Sequence, residues 1–265
     1  MFKFYPASIE LATAVLQSCT IKFTAPADFN DPFECAPKFA AVSDAELDLY
    51  CSEFMLRQGH VKNATDARIS SKALKFNVRL NESRLLENAK EAVRNVGVAC
   101  FSRNCTSILM WSHYATSHKG FCVEYEDPAP VSEHFGHTQA VRYTSDYPTL
   151  PFIDYCKLQD FAHYRLWEED FERVSQAFSA SAFLTKSPEW GYEEEVRCIR
   201  PPRRGGAGLA TLPAHCIKGV ILGAKHTSDL AEHIESLNAA CVPHAYMAVA
   251  ELSESKYEVS LRRTS

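Results

Sequence analysis

Short apolar segments recur from the first residues of the chain to the last, and longer helical patterns separate them. The first is Phe2–Tyr5, and later ones lie at 98–102, 120–125 and 217–222. Runs of four to six residues that are apolar throughout or at alternate positions are typical of strands, because successive side chains of a strand point to opposite faces. Strands interspersed with helices in this irregular order predict an α+β fold around a mixed, largely antiparallel sheet.

The composition is that of an ordinary folded protein. Of 265 residues, 46% are hydrophobic and 23% are charged, which supplies enough apolar surface to offset the entropy of ordering the chain. We therefore predict a single α+β domain over residues 1–265. Residues 43–96 carry a helical pattern that begins with a sequence like a capping box at Ser43 and Glu46. This block is predicted to be a helical insertion beside the sheet, with a break near 59–65 and one amphipathic helix over 67–96.

Three further segments have a predicted secondary structure. Residues 158–183, rich in aromatic and acidic side chains, are predicted to form one helix, and residues 140–143 a short strand. Residues 190–199 are predicted to form a late strand. A strand over 190–199 would place Glu193, Glu195 and Arg197 on one face.

Charge and apolar run length argue against several classes of protein. The net charge of −5 argues against a general polyanion-binding protein, because binding to phosphate backbones needs a surplus of Lys and Arg. No run approaches the roughly 18 apolar residues of a membrane helix. The first residues do not follow the pattern of a signal peptide, so a cytoplasmic location is expected and no membrane partner.

The cysteines and histidines do not form a metal-binding pattern. The ten cysteines are scattered and include no C-x-x-C pair, so we predict that they are reduced, buried small hydrophobic residues and that the chain holds no zinc site. His113 and His118 are five residues apart, a poor spacing for two ligands on one helix. No metal is therefore predicted.

The late strand carries the first candidate for chemistry, the E-x-E element formed by Glu193 and Glu195. One interpretation is a solvated strand face with a Glu–Arg pair, which stabilises little. The other is a pair of carboxylates that reach into a cleft, where one of them polarises a sugar hydroxyl and stabilises a developing cation.

The second candidate joins Ser102, at the end of a strand, to a helical turn that follows it. Trp111 and Tyr114 are three residues apart and share a helix face. One interpretation is that Met110 and Trp111 pack in the core, which is expected for at least one of them. The other is that an aromatic side chain near Ser102 stacks on a planar ring such as nicotinamide or a base. Hydroxyl, imidazole and amine groups lie close by in the sequence at Ser112, His113, Tyr114, His118 and Lys119.

The third candidate is the loop Asn30-Asp31-Pro32-Phe33-Glu34. A rigid turn is the plainer explanation of this loop, since Asn, Asp and Pro all favour turns. Asp31 and Glu34 alone make a poor metal site.

Three motifs together resemble one bacterial family of unknown function, and the similarity spans nearly the whole chain. They are FNDPFE at 29–34, LMWSHYA at 109–115 followed by HKGFCVEY at 118–125, and W-x-YE-x-E-x-R at 190–197. Some members of that family are linked to abortive infection. The resemblance therefore implies a role in phage defence and a possible toxin or antitoxin partner.

The order of the elements resembles the ADP-ribosyltransferase superfamily, and Glu193-Glu194-Glu195-Val196 is similar to the Glu-x-Glu-Val segment of its arginine-directed members. The resemblance implies that NAD is the co-substrate and that Glu195 is the catalytic acid holding the nicotinamide-ribose hydroxyl. Glu193 would orient or deprotonate the acceptor, a protein or nucleic acid, or water in NAD hydrolysis. The residues implied for cofactor binding are Lys3, Tyr5, Ser102, Trp111, His113, Tyr114 and His118. Those proposed for substrate binding are Asn30, Asp31 and Arg197.

The chain departs from that superfamily in three ways, and two other functions stay open. Lys3 stands where Arg or His is expected, no Ser-Thr-Ser triplet follows Phe101, and the helical block over 43–96 is longer than usual. One alternative is a non-catalytic binding or regulatory module of a defence or toxin–antitoxin system. The other is a different hydrolase or a metal-dependent nuclease that uses Asp31, Glu34, His113 and His118.

Overall fold

The computed structural model of the chain describes residues 1–126 and 138–264. Its helices are α1 (Ile9–Leu16), α2 (Asp44–Arg57), α3 (Ala64–Leu80), α4 (Glu82–Arg94), α5 (Ile108–Tyr114), α6 (Phe152–Tyr164), α7 (Glu168–Phe183) and α8 (Ser228–Cys241). Its strands are β1 (Phe2–Tyr5), β2 (Thr20–Phe23), β3 (Lys38–Ala40), β4 (Gly97–Ser102), β5 (Phe121–Tyr125), β6 (Gln139–Ala140), β7 (Arg142–Tyr143), β8 (Thr149–Pro151), β9 (Thr185–Lys186), β10 (Glu195–Arg200), β11 (Gly208–Thr211), β12 (Ile217–Leu222), β13 (Tyr246–Leu252) and β14 (Val259–Arg263).

The chain divides into two compact units. The first comprises Met1–Asp28, Asn95–Tyr143 and Lys186–Ser265, and the second comprises Phe29–Arg94 and Thr144–Thr185. The helical block predicted over 43–96 contributes α2, α3 and α4 to the second unit. A single domain over 1–265 stays a prediction.

The first unit is built on a large sheet. Within the described residues this sheet has eight strands, in the order β14-β13-β12-β5-β1-β4-β10-β6. Its neighbouring strands are antiparallel except for β12 and β13, which are parallel because α8 connects them as a crossover. The predicted α+β class with a mixed, largely antiparallel sheet is confirmed.

The two faces of this sheet are covered by different helices. The face that includes Tyr5 and Val196 packs against α1 and α8. The opposite face, which includes Phe4, packs against Trp111 of α5. Neighbouring residues of a strand alternate between faces. Since Val196 lies on the face covered by α1 and α8, Glu195 lies on the face covered by α5.

The first helix begins after a capping serine. The Ser8 hydroxyl accepts a hydrogen bond from the Leu11 amide at 3.1 Å, and so satisfies one of the amides that the helix itself leaves free. The following strand, β2, buries Ile21 and Phe23 on one face.

The second unit is mostly helical, with a short parallel pair of strands, β3 and β8. The capping box at the start of α2 is confirmed. The Glu46 amide donates to the Ser43 hydroxyl at 3.2 Å, and the Ser43 amide donates to the Glu46 carboxylate at 2.9 Å.

Two predicted helices are each divided in the structure, so the predictions of unbroken helices over 67–96 and 158–183 are wrong. The first divides at Asn81, whose side chain donates to the Asn77 carbonyl at 2.8 Å and so competes with the helical backbone pattern. The second divides between α6 and α7, where Arg165 and Trp167 adopt positive φ angles of 58° and 63°. This turn buries Trp167, whose indole donates to Asp160 at 3.1 Å.

The predicted strand over 140–143 is interrupted as well. Val141 separates β6 from β7, and its amide donates to the Glu195 carbonyl at 2.9 Å.

All ten cysteines are free thiols, as predicted, but only five of them are buried and the other five are partly exposed, so the prediction of burial holds for half of them. Within the described ranges, no helix combines the length and apolar character needed to cross a membrane.

Candidate functional site

The E-x-E element lies at a turn and not within a continuous strand. Residues Pro188–Glu193 form a 3-10 turn, and β10 begins only at Glu195. Glu194, between the two, has a positive φ of 45°. The prediction of a strand over 190–199 is therefore wrong at its first half, because the left-handed residue breaks the alternation of side chains.

Lys186 brings the two carboxylates together despite this turn. Its ammonium group donates to Glu193 Oε2 at 2.5 Å and to Glu195 Oε2 at 3.1 Å. The two glutamates are 3% and 4% exposed, and Lys186 is 6% exposed. Two carboxylates thus share one cation in an environment that excludes most water.

Arg197 supplies the second cation. Its Nε donates to Glu195 Oε1 at 2.8 Å and its Nη2 to Glu195 Oε2 at 2.9 Å, which is the bidentate geometry of a strong charge-assisted pair. Lys186, Glu193, Glu195 and Arg197 form what we call the four-charge cluster, with formal charges that sum to zero. Buried charges need such compensation, because desolvation of an unpaired charge is very unfavourable.

Burial has a large effect on the titration of Glu195. It raises the pKa of this carboxyl to about 7, and the repulsion from Glu193 adds to the effect, while Lys186 and a hydrogen bond from the Cys100 thiol oppose it. Burial also raises the pKa of the Cys100 thiol, which therefore remains a neutral donor. For Lys186, burial lowers the pKa, but the two carboxylates outweigh it and raise the pKa above its ordinary value.

Tyr114 connects α5 to the cluster. Its hydroxyl donates to Glu193 Oε1 at 2.6 Å. The helix that carries it is fixed by the Ser107 cap and by Trp111, which is fully buried and donates from its indole to the Cys105 carbonyl at 2.8 Å. Trp111 is thus a core residue, whereas the partly exposed Tyr114 is a polar contact of the cluster.

Aromatic side chains continue from Tyr114, whose ring centroid is 6.5 Å from that of His113. The ring centroid of Tyr192 is 6.1 Å from that of exposed His113 and 6.1 Å from that of Trp190. The Lys186 ammonium lies 4.8 Å from the centroid of the Trp190 ring, within the range of a cation–π contact. Partly exposed rings beside a charged cluster are suited to binding a planar group by stacking.

The sequence did not point to three participants of the site. Lys186 and Cys100 contact the carboxylates, and the Tyr143 hydroxyl accepts a hydrogen bond from the Glu195 amide at 2.8 Å. Lys186 is seven residues before Glu193, outside the E-x-E motif, and its role depends on the turn between them. The position of Cys100 beside the cluster follows from the register of β4 and β10, in which Cys100 pairs with Arg197.

The side chains of Lys3 and Tyr5 leave β1 on the face of the sheet opposite to that of Glu195. Phe2 and Glu195 are both paired with Ser102, so they share a face, and Lys3 and Tyr5 lie on the other. The Lys3 ammonium donates to the Cys100 carbonyl at 3.0 Å, and the Tyr5 hydroxyl is bonded to that of Tyr125 at 2.8 Å.

Ser102 and His118 make local contacts. The Ser102 hydroxyl donates to the Asn104 carbonyl and accepts from the Asn104 amide, both at 3.0 Å, and so closes the turn after β4. His118 is buried, has a positive φ of 70° and is bonded through Nε2 to the Ser112 hydroxyl at 3.2 Å. Ser102 is thus the cross-strand partner of Glu195, and its hydroxyl is hydrogen-bonded to the backbone of Asn104.

Asn30 and Asp31 belong to the second unit. Asp31 is buried, and its Oδ1 accepts a hydrogen bond from the Phe33 amide at 2.9 Å, which is the local bond of an Asx turn. In the parts of the chain that the structure describes, no group of three or more His, Cys, Asp or Glu side chains is arranged to hold a metal ion.

A family model described as "Protein of unknown function (DUF2971)" matches residues 110–198, about a third of the chain. The matched segment starts in α5 and ends in β10, so it includes Tyr114 and the whole four-charge cluster. This similarity agrees with the predicted resemblance to an uncharacterised family. No curated protein and no solved structure matches the chain.

Proposed function

We propose that the chain is an ADP-ribosyltransferase-like enzyme that cleaves the bond between nicotinamide and ribose in NAD. The ADP-ribosyl group would pass to a protein, to a nucleic acid or to water. The observation that carries this proposal is that Lys186 donates hydrogen bonds to the carboxylates of both Glu193 and Glu195, while the Tyr114 hydroxyl donates to Glu193.

The chemistry of the cluster supports this reaction. Loss of nicotinamide proceeds through a transition state with cationic character on the ribose, and a fixed carboxylate in a water-poor site stabilises such a charge. A carboxyl whose pKa is raised to about 7 also exchanges protons readily near neutral pH. Glu195 would hold a ribose hydroxyl, and Glu193 would orient or deprotonate the acceptor.

The aromatic rings give the ligand a place to bind. Tyr114 and Tyr192 are only partly buried, and His113 is exposed. A nicotinamide ring stacked on these side chains would lie next to Glu193, since Tyr114 is hydrogen-bonded to that carboxylate.

A specific observation favours a second candidate, the non-catalytic binding or regulatory module. Each carboxylate oxygen of Glu193 and Glu195 already accepts a hydrogen bond from Tyr114, Lys186 or Arg197. A substrate hydroxyl would have to displace one of these donors. In the second candidate the cluster only fixes the fold, and function lies on the surface.

NAD labelled on its adenylate moiety separates the two candidates. Purified protein is incubated with labelled NAD with and without cell lysate, while calorimetry measures binding of unlabelled NAD. If the chain is this enzyme, it binds NAD and yields either labelled macromolecules or free labelled ADP-ribose. Glu193→Gln and Glu195→Gln are expected to yield neither labelled product. Glu194→Gln, the same change at the exposed residue between them, is the matched control and retains activity. Folded protein that neither binds nor consumes NAD supports the second candidate.

A further inference from the structure

Helix α3 has a second apolar face that the second unit does not cover. Ile69, Phe76 and Leu80 are 63%, 67% and 71% exposed, and Ala73 is exposed as well. The spacing of these four residues is i, i+4, i+7 and i+11, so they form one stripe along three turns of the helix. We call this set of four residues the α3 stripe.

The α3 stripe is not needed to hold the helix in its unit. Ala67 and Ser71 are buried, and Leu74 and Val78 pack in the core of the unit, all on the opposite side of the helix. Single exposed apolar residues are common, but an aligned set of large ones indicates an interaction surface.

The charges of α3 are distributed unevenly. Lys75 pairs with Asp48 at 2.9 Å, and Arg79 pairs with Asp44 at 2.8 Å and with Glu82 at 3.0 Å.

Arg68 and Lys72 are exposed, and neither forms an ion pair with a carboxylate in the part of the chain that the structure describes. At 100° per residue both fall on the same border of the α3 stripe, whereas the opposite border carries Ser70, Asn77 and Asp66.

We propose that the α3 stripe binds an acidic amphipathic helix of another protein. Three apolar turns match the anchors that a partner helix offers at the same spacing. Carboxylates along one edge of that helix would pair with Arg68 and Lys72, the two cations of α3 that form no ion pair within residues 1–126 and 138–264. This proposal is independent of the four-charge cluster.

The charge distribution argues against two other occupants. In an antiparallel contact between two copies, the border with Arg68 and Lys72 would face its own counterpart and be repelled. A helix that lies on an anionic membrane carries cations on both sides of its apolar face, and here the second border includes Asp66.

Two synthetic three-heptad helices with identical leucine stripes test the proposal. One has Glu and the other has Lys at the flanking positions, and each carries a fluorophore for anisotropy. The wild-type chain is expected to bind the acidic helix about tenfold more tightly than the basic one, a ratio typical of complementary charges and reduced by salt. Phe76→Gln is expected to lose binding, and Arg68→Glu with Lys72→Glu to reverse the preference. Leu209→Gln removes an equally exposed leucine elsewhere and leaves binding unchanged.

Three results would overturn the proposal. The first is equal binding of both helices or of neither. The second is a wild-type dimer in sedimentation that Phe76→Gln converts to a monomer. The third is binding to vesicles of phosphatidylserine without binding to the acidic helix.

Discussion

Arg197 holds the carboxylate of Glu195 through two hydrogen bonds, at 2.8 and 2.9 Å, from the same face of β10. Both side chains are almost fully buried. A buried ion pair gains little over an apolar pair, but loss of one partner leaves an uncompensated charge in the interior. We therefore expect the loss of either partner alone to destabilise the fold more than the loss of both.

Arg197→Met is expected to lower the free energy of unfolding by about 3–5 kcal/mol, because Glu195 is left partly uncompensated. Adding Glu195→Gln to that variant is expected to recover part of the loss, with a coupling of about 0.5–3 kcal/mol. Urea denaturation of the two single variants and the double variant measures this coupling. Strictly additive losses would contradict the bidentate pairing.

Tyr114→Phe removes one hydroxyl and leaves the ring in place. Since the hydroxyl donates to Glu193 at 2.6 Å, we expect a loss of about 1.5–3 kcal/mol in the free energy of unfolding, the range for hydrogen bonds to charged groups. Tyr192→Phe is the control, because the Tyr192 hydroxyl makes no hydrogen bond within residues 1–126 and 138–264. Equal losses in the two variants would show that the contact with Glu193 stabilises nothing.

The raised pKa of Glu195 predicts a pH dependence of stability. Its folded pKa of about 7 lies above its ordinary value of 4.5, so the folded state binds more protons between these values. The contribution of Glu195 to the free energy of unfolding is therefore largest below pH 4.5 and falls as the pH rises to 7. Denaturation of wild type and Glu195→Gln at pH 5 and pH 8 tests this, and the wild type is expected to lose more stability than the variant. A wild type that gains stability over this range relative to the variant would contradict the direction of the shift.

Asp160→Ala is expected to destabilise the second unit. Asp160 Oδ2 accepts from the Tyr50 hydroxyl at 2.8 Å and from the Trp167 indole at 3.1 Å, so its loss leaves two buried donors unsatisfied. At about 1–3 kcal/mol for each, thermal unfolding should shift down by several degrees. Asp154→Ala on the same helix is the control, with a smaller shift expected since no hydrogen bond in the described ranges involves its carboxylate.

Local patterns predicted the parts of the fold that local interactions decide. The strand at Phe2–Tyr5 and the capping box at Ser43 each depend on residues within one turn or one strand. The resemblance to the ADP-ribosyltransferase superfamily implied that Glu193, Glu195 and Tyr114 belong to one site, and the Tyr114 hydroxyl does contact Glu193.

Single residues and distant contacts decided the rest. The positive φ of Glu194 moves the start of β10 by several residues, and an ordinary glutamate gives no sign of it in the sequence. Lys186 joins the cluster only because the turn before β10 folds back. The faces of Lys3 and Tyr5 depend on the pairing of β1 with β4, which local periodicity does not specify.

Release of nicotinamide from NAD by purified wild type and Glu195→Gln tests whether the buried E-x-E pair is an active centre. Circular dichroism first confirms that both proteins are folded, and Glu194→Gln is measured beside them. We expect release by wild type and Glu194→Gln, and a loss of at least about 100-fold in Glu195→Gln, the usual scale for removal of a charge-stabilising catalytic group. Release at the same rate by Glu195→Gln, or none by folded wild type, would contradict this expectation.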